Sequence, residues 1–522
     1  MHENRETSSP TGPTKASPAG KGQGRNASAH GGEESDGVVV PMNPSNKTEA
    51  AHAEAAEREE GRTPTKENVN QAHTLPAQNG RGVSQGLAGV RKVAKERKQE
   101  KFTTLLHHLN VDLLRRSFLH LKKQAAPGVD GVTWGQYEQG LEDRLTDLNS
   151  RVHRGTYRAQ PSRRIHIPKA DGKKRPIGIA ALEDKIVQQA VVTILNEIYE
   201  VDFCGFSYGF RPGRSQHDAL DALSAAIQGE KVNYVVDADI QAFFDRMKHE
   251  WVVAFLEHRV ADRRVLRLIQ KWMKAGVSED GEWSKTEVGT PQGAVISPLL
   301  ANIYLHYVFD LWLKAWREKI ATGDVIAVRY ADDVVVGFQH RAEAERFLKD
   351  FQERLAKFGL ELHPDKTRLI EFGRFAQANR RERGEGEAET FTFLGFRHKC
   401  GTNKNGSFVV WRTTVKKRLE AKLQEVKQSL KARMHEPVRQ TGEWLRSVVQ
   451  GYYQYFAVPG NLASLETFRQ RIFRYWWRVL NRRSQRGWIP AERATRLISP
   501  WLPSPKVLHP YPLKRFCAKH PR

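Results

Sequence analysis

The sequence contains little cysteine and no long apolar run. Cys204, Cys400 and Cys517 are the three cysteines among its 522 residues, too few and too widely separated for a disulfide framework or a four-cysteine zinc site. No stretch approaches the roughly 18 consecutive apolar residues of a membrane-spanning helix, and the first residues lack the apolar core of a secretory signal. We therefore expect no zinc, no membrane association and a reducing compartment, the cytoplasm.

Acidic residues are also scarce relative to basic ones. The 84 Lys and Arg outnumber the 60 Asp and Glu, which gives a net charge of +24. This excess favours a polyanionic partner, nucleic acid before membrane. Residues 1–80 do not contribute to it, since their 8 basic and 11 acidic side chains give a net charge of −3. This segment is rich in Ser, Thr, Gly, Pro, Ala and Asn without a sustained apolar period, so we predict a disordered leader over residues 1–85.

The positive charge concentrates in residues 411–522, where 24 Lys and Arg face 6 Asp and Glu, a net charge of +18. Six of the 12 Trp lie in the same region: Trp411, Trp444, Trp476, Trp477, Trp488 and Trp501. Basic residues interleaved with aromatics suit phosphate neutralisation and base stacking. The alternative, which we favour for most of these Trp, is a buried aromatic core beneath solvated charges. Apolar periodicity predicts three amphipathic helices here, over Thr413–Met434, Gly442–Phe456 and Leu462–Arg482.

Upstream patterns predict further helices and one hairpin. The predicted helices cover Val90–Leu109, Asp112–Lys123 and the apolar period from Ile186 to Ile198. A strand pair is expected over Arg163–Pro168 and Arg175–Ile179, with turn residues between them.

Aspartates interrupt or follow two apolar, β-branched runs. The run Asn233–Ile240 contains Asp237 and Asp239, and the run 325–330 leads into Asp332 and Asp333 before a second apolar run. Adjacent carboxylates repel each other unless a cation or a basic group neutralises them. Polymerase chemistry uses carboxylates from two strands to hold two Mg²⁺ ions about 3.5–4 Å apart. An ordinary hairpin with two aspartates at its turn is the alternative.

Ordered motifs carry a resemblance to a known family. Residues 330–333 read YADD, residues 239–245 read DIQAFFD, and GTPQG at 289–293 is followed by SPLL at 297–300. Further boxes follow the expected order: SYGFRPG at 207–213, HPDKT at 363–367 and FLGF at 393–396. From about residue 85 to its C-terminus, the sequence resembles a bacterial group II intron-encoded reverse transcriptase/maturase.

The resemblance implies an α+β right-hand polymerase. Fingers and palm with an antiparallel palm sheet would occupy residues 86–405, and an α-helical thumb or maturase domain would occupy residues 406–482. Residues 483–522 would be a basic segment and a candidate for DNA or RNA binding. No histidine- and cysteine-rich motif follows, so no endonuclease domain is expected. The implied protein is an RNA-directed DNA polymerase in the bacterial cytoplasm that also assists intron splicing and mobility. Its partners would be group II intron RNA, an RNA template with a DNA primer, target DNA and deoxynucleoside triphosphates.

The resemblance also implies the catalytic residues. Asp239, Asp332 and Asp333 would be catalytic and would bind two Mg²⁺ ions. Asp237 is a rival, since it lies on the same strand face as Asp239, but the spacing from Asp239 to the Phe pair matches the family box. Phe244 would then reject a ribose 2′-hydroxyl and favour deoxynucleotides.

The remaining implied roles concern the nucleotide and the primer. Lys169 and Arg175 resemble the pair that grips the triphosphate, and permanent cations suit that task. Further candidates are Gln292 and Gly293 on the nucleotide's side of the pocket, Lys366 as a proton donor to pyrophosphate or simply a salt-bridge partner, and Leu394 and Gly395 as the primer grip.

Two other functions compete with this interpretation. An RNA-binding splicing factor with a relic polymerase site is the first, although the intact Asp239, Asp332 and Asp333 favour the polymerase. A related reverse transcriptase serving host defence or diversification is the second. The long basic region 411–482 disfavours it, since such enzymes usually lack one.

Overall fold

The computed structural model describes residues 85–168, 174–279, 282–284, 288–290, 293–483 and 487–519. The predicted leader, apart from Gln85, lies outside them. The first elements are α1 (Gln85–Glu96), α2 (Val111–His120), α3 (Trp134–Glu138), α4 (Leu141–Arg154), β1 (Ser162–Pro168), β2 (Lys174–Ile179), α5 (Leu182–Asp202), α6 (Gln216–Gly229), β3 (Tyr234–Asp239), α7 (Phe243–Arg246), α8 (His249–Leu256), α9 (Arg263–Lys274), β4 (Val277–Glu279) and β5 (Glu282–Ser284). The later elements are α10 (Ser297–Leu305), α11 (Leu311–Lys319), β6 (Val325–Tyr330), β7 (Asp333–Phe338), α12 (Arg341–Ala356), β8 (Arg368–Glu371), α13 (Ala376–Glu382), β9 (Phe391–Phe393), β10 (Phe396–Thr402), β11 (Phe408–Thr414), α14 (Lys416–Ala432), α15 (Val438–Phe456), α16 (Leu462–Asn481), α17 (Ala491–Ile498) and α18 (Pro512–Lys519).

A four-stranded antiparallel sheet lies at the centre, with the strand order β6-β7-β3-β8. Strands β6 and β7 bury nearly all of their side chains, because helix α6 packs against β6 while α12 packs against β3 and β7. Near-continuous Val and Ile runs are typical of strands covered in this way. The predicted strands on either side of the two-aspartate turn are confirmed.

Helix α5 anchors the core on the N-terminal side. The positions that define its apolar period are all buried: Ile186, Val187, Ala190, Val191, Ile194, Leu195 and Ile198. Helices α1 and α2 pack against it. The predicted helix is confirmed and runs over Leu182–Asp202.

Two smaller sheets flank this core. The predicted strand pair is confirmed as the antiparallel hairpin β1–β2, which continues through a parallel β1–β4 contact into the order β2-β1-β4-β5. The other sheet has the order β11-β10-β9 and leads directly into α14. The expected domain boundary at 405/406 falls in the turn between β10 and β11, and the helices begin at Lys416.

The three C-terminal amphipathic helices are confirmed as α14, α15 and α16. Beyond them, α18 turns back and packs against α6. Asp221 of α6 accepts hydrogen bonds from Arg412 of β11, at 3.0 Å, and from Arg515 of α18. The last helix of the predicted nucleic-acid-binding segment is therefore docked on the protein's own core.

The prediction of one helix over Val90–Leu109 was wrong, because α1 ends at Glu96. After it the chain extends so that the backbone of Phe102 pairs with Arg259, and the carboxylate of Asp262 accepts hydrogen bonds from the backbone N–H groups of Leu105 and Leu106, at 2.8 and 2.9 Å. These long-range contacts override the local helical period. In the described part of the chain, no helix is both long and apolar enough to cross a membrane.

Candidate active site

The register of the central sheet brings the predicted catalytic aspartates to one end. Asp239 is the last residue of β3, Asp333 is the first residue of β7, and the two are direct cross-strand partners. Asp332 lies in the two-residue turn between β6 and β7. The rival Asp237 faces Val335 instead. Strand pairing therefore groups Asp239, rather than Asp237, most closely with the two-aspartate turn.

A buried arginine holds this turn from below. Arg329 is fully buried and donates two hydrogen bonds to the carboxylate of Asp310, at 2.7 and 2.6 Å. The same guanidinium donates to Asn302 Oδ1 and to the carbonyl oxygen of Ala331, both at 3.0 Å, and to Ser207 Oγ at 2.7 Å. Since Ala331 immediately precedes the paired aspartates, this network fixes the backbone from which they project.

This network was not predicted, although the sequence contains a signal for it. Arg329 interrupts the apolar run 325–330, and a charged side chain in a buried strand requires a buried partner. That partner could not be identified from the sequence, because Asp310 and Asn302 belong to a separate helical segment.

The SYGFRPG segment supports the turn from the side. The backbone of Tyr208 donates to the carbonyl of Arg329, and the backbone of Arg329 donates to the carbonyl of Phe206, both at 2.8 Å. A Cβ atom on Gly209 would lie 2.3 Å from the backbone nitrogen of Ala331. Glycine is required at this position by the close backbone approach.

Two basic side chains face the aspartates of β3. Lys366 Nζ lies 2.8 Å from Asp239 Oδ2, and Arg368 lies 3.5 Å from Asp237 Oδ2 and is its cross-strand partner on β8. Lys366, which was predicted for the nucleotide pocket, therefore meets a catalytic candidate directly. In this arrangement it neutralises the Asp239 carboxylate.

The carboxylates also perturb one another. Desolvation, followed by repulsion from Asp332, Asp239 and Asp237, raises the pKa of Asp333 to about 8. Since the Asp333 side chain remains exposed to solvent, repulsion is the cause that the geometry supports. Burial raises the pKa of Asp237 to about 6, against the opposing effect of Arg368. Each raised pKa means that the carboxyl holds its proton more tightly than usual, unless a nearby cation favours the ionised form.

Carboxylate oxygens are the donors that Mg²⁺ prefers. Asp239, Asp332 and Asp333 fit that ion by donor chemistry, and an ion held between them would offset the repulsion that raises the pKa of Asp333. Over the part of the chain that the structure describes, no three His, Cys, Asp or Glu side chains are already arranged as a metal site. The carboxylates would have to close around an ion, and Asp239 would have to exchange Lys366 for it.

The aromatic pair after β3 divides between core and surface. Phe243 is buried, whereas Phe244 is half-buried and lies beside it with ring centroids 5.5 Å apart. The carbonyl of Phe244 accepts a hydrogen bond from the backbone of Thr290 at 2.9 Å, and a Cβ on Gly289 would lie 2.9 Å from the same oxygen. The DIQAFFD and GTPQG boxes are therefore packed together, with Phe244 at their junction.

Gly293 connects this junction to the β1–β2 hairpin. It has a φ of +107°, and a Cβ there would meet the carbonyl of Gly178 at 2.8 Å and Ile177 Cγ2 at 2.9 Å. Arg175 lies two positions before Ile177 on β2, so both side chains share one face of the strand. Lys169 and Gln292, the other predicted residues of this pocket, lie outside the described residues.

The predicted primer-grip residues form the tight turn between β9 and β10. Leu394 and Gly395 have φ angles of +46° and +80°, as a two-residue hairpin turn of type I′ requires. The carbonyl of Leu394 accepts a hydrogen bond from Tyr455 Oη at 2.7 Å, and that of Gly395 accepts one from the backbone of Val415 at 3.2 Å. The C-terminal helices thus fix this turn.

Left-handed backbone at non-glycine residues marks the same motifs. Within the described residues, four such positions occur, and each lies in one of the boxes: Phe210, Ala242, Ala331 and Leu394. This conformation costs side-chain-bearing residues roughly 1 kcal/mol or more. Such strain persists where the surrounding structure imposes it, and here it is confined to the motif loops.

Comparison with known proteins places these residues in a family. Residues 167–398 match the family described as reverse transcriptase (RNA-dependent DNA polymerase). This match includes the three aspartates and every residue of their supporting network.

Individual relatives agree with that match. Protein YkfC of Escherichia coli strain K12 is 34% identical over 284 residues, which are 49% of this chain and 74% of YkfC. The group II intron-encoded protein LtrA of Lactococcus lactis subsp. cremoris is 36% identical over 239 residues, 45% of this chain and 40% of LtrA. Nuclear intron maturase 2, mitochondrial, of Arabidopsis thaliana is 35% identical over 233 residues, 37% of this chain and 30% of the maturase. The ordered motifs, the reverse transcriptase match and these relatives together show that the chain belongs to the group II intron-encoded reverse transcriptase/maturase family.

Proposed function

We propose that this protein is an RNA-directed DNA polymerase encoded in a group II intron, which copies RNA into cDNA and assists splicing and mobility of the intron RNA. The observation that carries the proposal is the cross-strand pairing of Asp239 with Asp333, next to Asp332 in its braced turn. Its substrates would be deoxynucleoside triphosphates and an RNA template with a DNA primer. Intron RNA and target DNA would be its further partners, in the bacterial cytoplasm.

The fold supports a right-hand arrangement for this activity. In the proposal, the central sheet β6-β7-β3-β8 is the palm, the β1–β2 hairpin belongs to the fingers, and α14–α16 form the thumb. The hydrogen bond from Tyr455 of α15 to the Leu394 carbonyl would couple the thumb to the primer grip. A template-primer duplex would then lie between the basic helices and the aspartates.

The three aspartates would hold two Mg²⁺ ions. When bound, these ions supply Lewis-acid chemistry that activates the primer 3′-hydroxyl and stabilises the leaving pyrophosphate. Asp239 and Asp333 would serve from paired strands, and the Arg329 network would keep Asp332 and Asp333 aimed into the cleft. Lys366, released from Asp239, would stand within reach of the leaving group as a cation and proton donor.

The nucleotide would sit between Phe244 and the β1–β2 hairpin. Phe244 would close the space beneath the sugar, Gly293 would let the backbone approach, and Arg175 together with Lys169 would contact the triphosphate. Gln292 would supply a hydrogen bond on the same side. Support comes from the packing of Gly293 against Ile177 and Gly178, which draws these elements together.

Primer extension on an RNA template with Mg²⁺ tests the proposal. The wild-type protein is expected to make cDNA. In Asp332→Asn the rate of cDNA synthesis is expected to fall at least about a thousandfold, because a metal ligand is removed. RNA binding is expected to stay nearly unchanged, because the basic surface is intact. Asp143→Asn, which removes one exposed carboxylate on α4, is the matched control and is expected to behave as wild type.

Two outcomes would contradict the proposal. A wild-type protein that promotes splicing without making cDNA would be a splicing factor with a relic polymerase site. Substantial polymerisation by Asp332→Asn would show that the catalytic carboxylates lie elsewhere.

A further inference from the structure

Trp488 differs from the other tryptophans of the basic C-terminal region. It is 73% exposed, more than any other large hydrophobic side chain in the ranges that the structure describes. Trp476 is fully buried, and the other four are partly covered. The interpretation of these Trp as a buried aromatic core therefore holds for most of them and fails for Trp488. An indole held in water forgoes the burial that normally stabilises an aromatic side chain.

The backbone beside Trp488 is clamped to helix α16. Asn481 Oδ1 accepts a hydrogen bond from the backbone N–H of Ile489 at 2.7 Å, and Trp477 Nε1 donates to the carbonyl of Ile489 at 2.9 Å. Both polar groups of one residue are thus held by an i,i+4 pair of side chains. The ring of Trp488 lies against Trp477, with centroids 6.0 Å apart and planes inclined by 52°. Trp488 is therefore presented by fixed neighbours, and such preorganisation lowers the entropic cost of binding.

Arginines line the exposed face of the same helix. Arg474, Arg478 and Arg482 are exposed and recur every four residues, so they form one stripe beside Trp477. Within the described chain, no carboxylate lies within ion-pair distance of any of the three, whereas Arg471 of the same helix pairs with Glu420. Three cations beside an exposed indole match the two chemical parts of a nucleotide, the phosphate and the base.

We infer that Trp488 and the arginine stripe of Arg474, Arg478 and Arg482 form a binding site for unpaired RNA. One base stacks on the indole of Trp488, and the flanking phosphates pair with the arginines. Unpaired RNA fits better than a duplex, because only an unpaired base exposes a face for stacking. This inference rests on the proposed function, since it names a contact through which such an enzyme holds its RNA.

Fluorescence anisotropy with the full-length chain tests the site. The probe is a labelled 20-nucleotide oligouridine, added after the polymerase cleft has been saturated with template-primer duplex. Trp488→Ala is expected to weaken its binding at least about fivefold, since one base–aromatic stack is worth about 1–3 kcal/mol. Trp488→Phe is expected to restore part of the affinity. Trp283→Ala, at an indole 59% exposed on β5, is the matched control and is expected to change the affinity less than about twofold.

A second arm separates stacking from charge. Binding of a blunt RNA duplex of equal length is expected to change less than about twofold in Trp488→Ala, because its bases are already stacked. Arg478→Gln is expected to bind both RNAs less tightly. It is also expected to lower the salt dependence of the binding affinity by about one phosphate contact, whereas Trp488→Ala is expected to leave that dependence unchanged.

Several results would overturn the site. The site would be contradicted if Trp488→Ala bound oligouridine as tightly as wild type does. It would also be contradicted if Trp488→Ala lost the same factor of affinity for oligouridine and for the duplex. Dissociation of a wild-type dimer by Trp488→Ala in sedimentation, with RNA affinity unchanged, would assign Trp488 to contact between two copies. Failure of this inference is distinguishable from failure of the proposed function. The RNA affinities of Trp488→Ala decide the inference, whereas cDNA synthesis by the wild-type protein decides the proposed function.

Discussion

Arg329 and Asp310 form a fully buried, two-hydrogen-bond ion pair directly beneath the turn that carries Asp332 and Asp333. Burial alone would raise the pKa of the Asp310 carboxyl, but Arg329, with His306, holds that pKa below its usual value. The pair is therefore ionised, and the guanidinium has further donors left for Ala331, Asn302 and Ser207. The buried Arg329 side chain therefore belongs to the core and also fixes the backbone of the candidate active site.

Removal of one partner of this pair is expected to be severe. Asp310→Asn leaves the buried guanidinium without its carboxylate, which lowers the free energy of unfolding by about 3–5 kcal/mol. Chemical denaturation measures the effect. Glu345→Gln, which breaks the exposed Arg341–Glu345 pair, is the control and is expected to change stability by less than about 1 kcal/mol. Equal effects of the two variants on stability would show that another group neutralises the charge of Arg329 in Asp310→Asn.

Gly209 offers a test of the turn that leaves all charges intact. In Gly209→Ala the new Cβ would start 2.3 Å from the backbone nitrogen of Ala331, so the turn has to move. We expect cDNA synthesis to fall at least about a hundredfold, since a displacement of about 1 Å can cost that much, while RNA binding is retained. Gly135→Ala on α3, where a Cβ meets no atom within 4 Å, is the matched control. Wild-type primer extension by Gly209→Ala would show that the turn tolerates the shift.

Phe244 tests the proposed selection of the sugar. Unlike buried Phe243, it is half-buried at the junction of two motifs. Phe244→Ala is expected to reduce the preference for deoxynucleotides over ribonucleotides at least about tenfold, because a steric barrier to the 2′-hydroxyl is removed. The ratio of kcat/KM values for the two substrates is the measurement. Phe375→Ala, at a ring 57% exposed, is the control. An unchanged ratio would return Phe244 to a role in packing.

The C-terminal helix α18 is expected to depend on a single buried carboxylate. Arg412 and Arg515 both bind Asp221, and Arg515 also contacts His509 Nδ1 at 2.7 Å. Arg515→Ala removes the contact from α18 but leaves the Arg412–Asp221 pair, so amide hydrogen exchange is expected to accelerate over 512–517 and to stay unchanged in β11. Lys514→Ala, an exposed neighbour on the same helix, is the control. Unchanged exchange in Arg515→Ala would mean that apolar packing alone holds α18.

The accuracy of the sequence predictions follows the range of the interactions involved. The strands that carry Asp239 and Asp333 and the helices α14–α16 were predicted because their apolar periods are local. The aspartates were singled out by their place in those strands, and family motifs were needed to assign their roles.

Features that depend on distant residues were not predicted. The end of α1 is decided by Asp262, more than 150 residues away, and the docking of α18 by Asp221, 294 residues before Arg515. The partner of Arg329 lies on another element for the same reason. Single-sequence patterns carry no information about which distant element supplies a buried counter-ion.

His398 gives the fold a defined response to acid. It is fully buried on β10, its ring stacks on Phe391 with centroids 4.7 Å apart, and Arg412 is its cross-strand partner. Burial, followed by the charge of Arg412, lowers the pKa of His398 to about 3. The unfolded chain binds this proton near pH 6.5, so the contribution of His398 to stability is complete above that pH and declines as the pH falls toward about 3.

Between pH 7 and pH 5, protonation of His398 in the unfolded chain is expected to cost the folded state about 2 kcal/mol. His398→Phe cannot titrate, so its free energy of unfolding is expected to fall about 2 kcal/mol less than that of wild type over this range. Urea denaturation at both pH values provides the measurement, and His120→Phe, at an exposed position, is expected to retain the wild-type decline. If His398→Phe loses stability as steeply as wild type between pH 7 and pH 5, then His398 of the folded wild-type protein accepts a proton in this range. In that case Asp221 balances the charge of Arg412 well enough to allow protonation of His398.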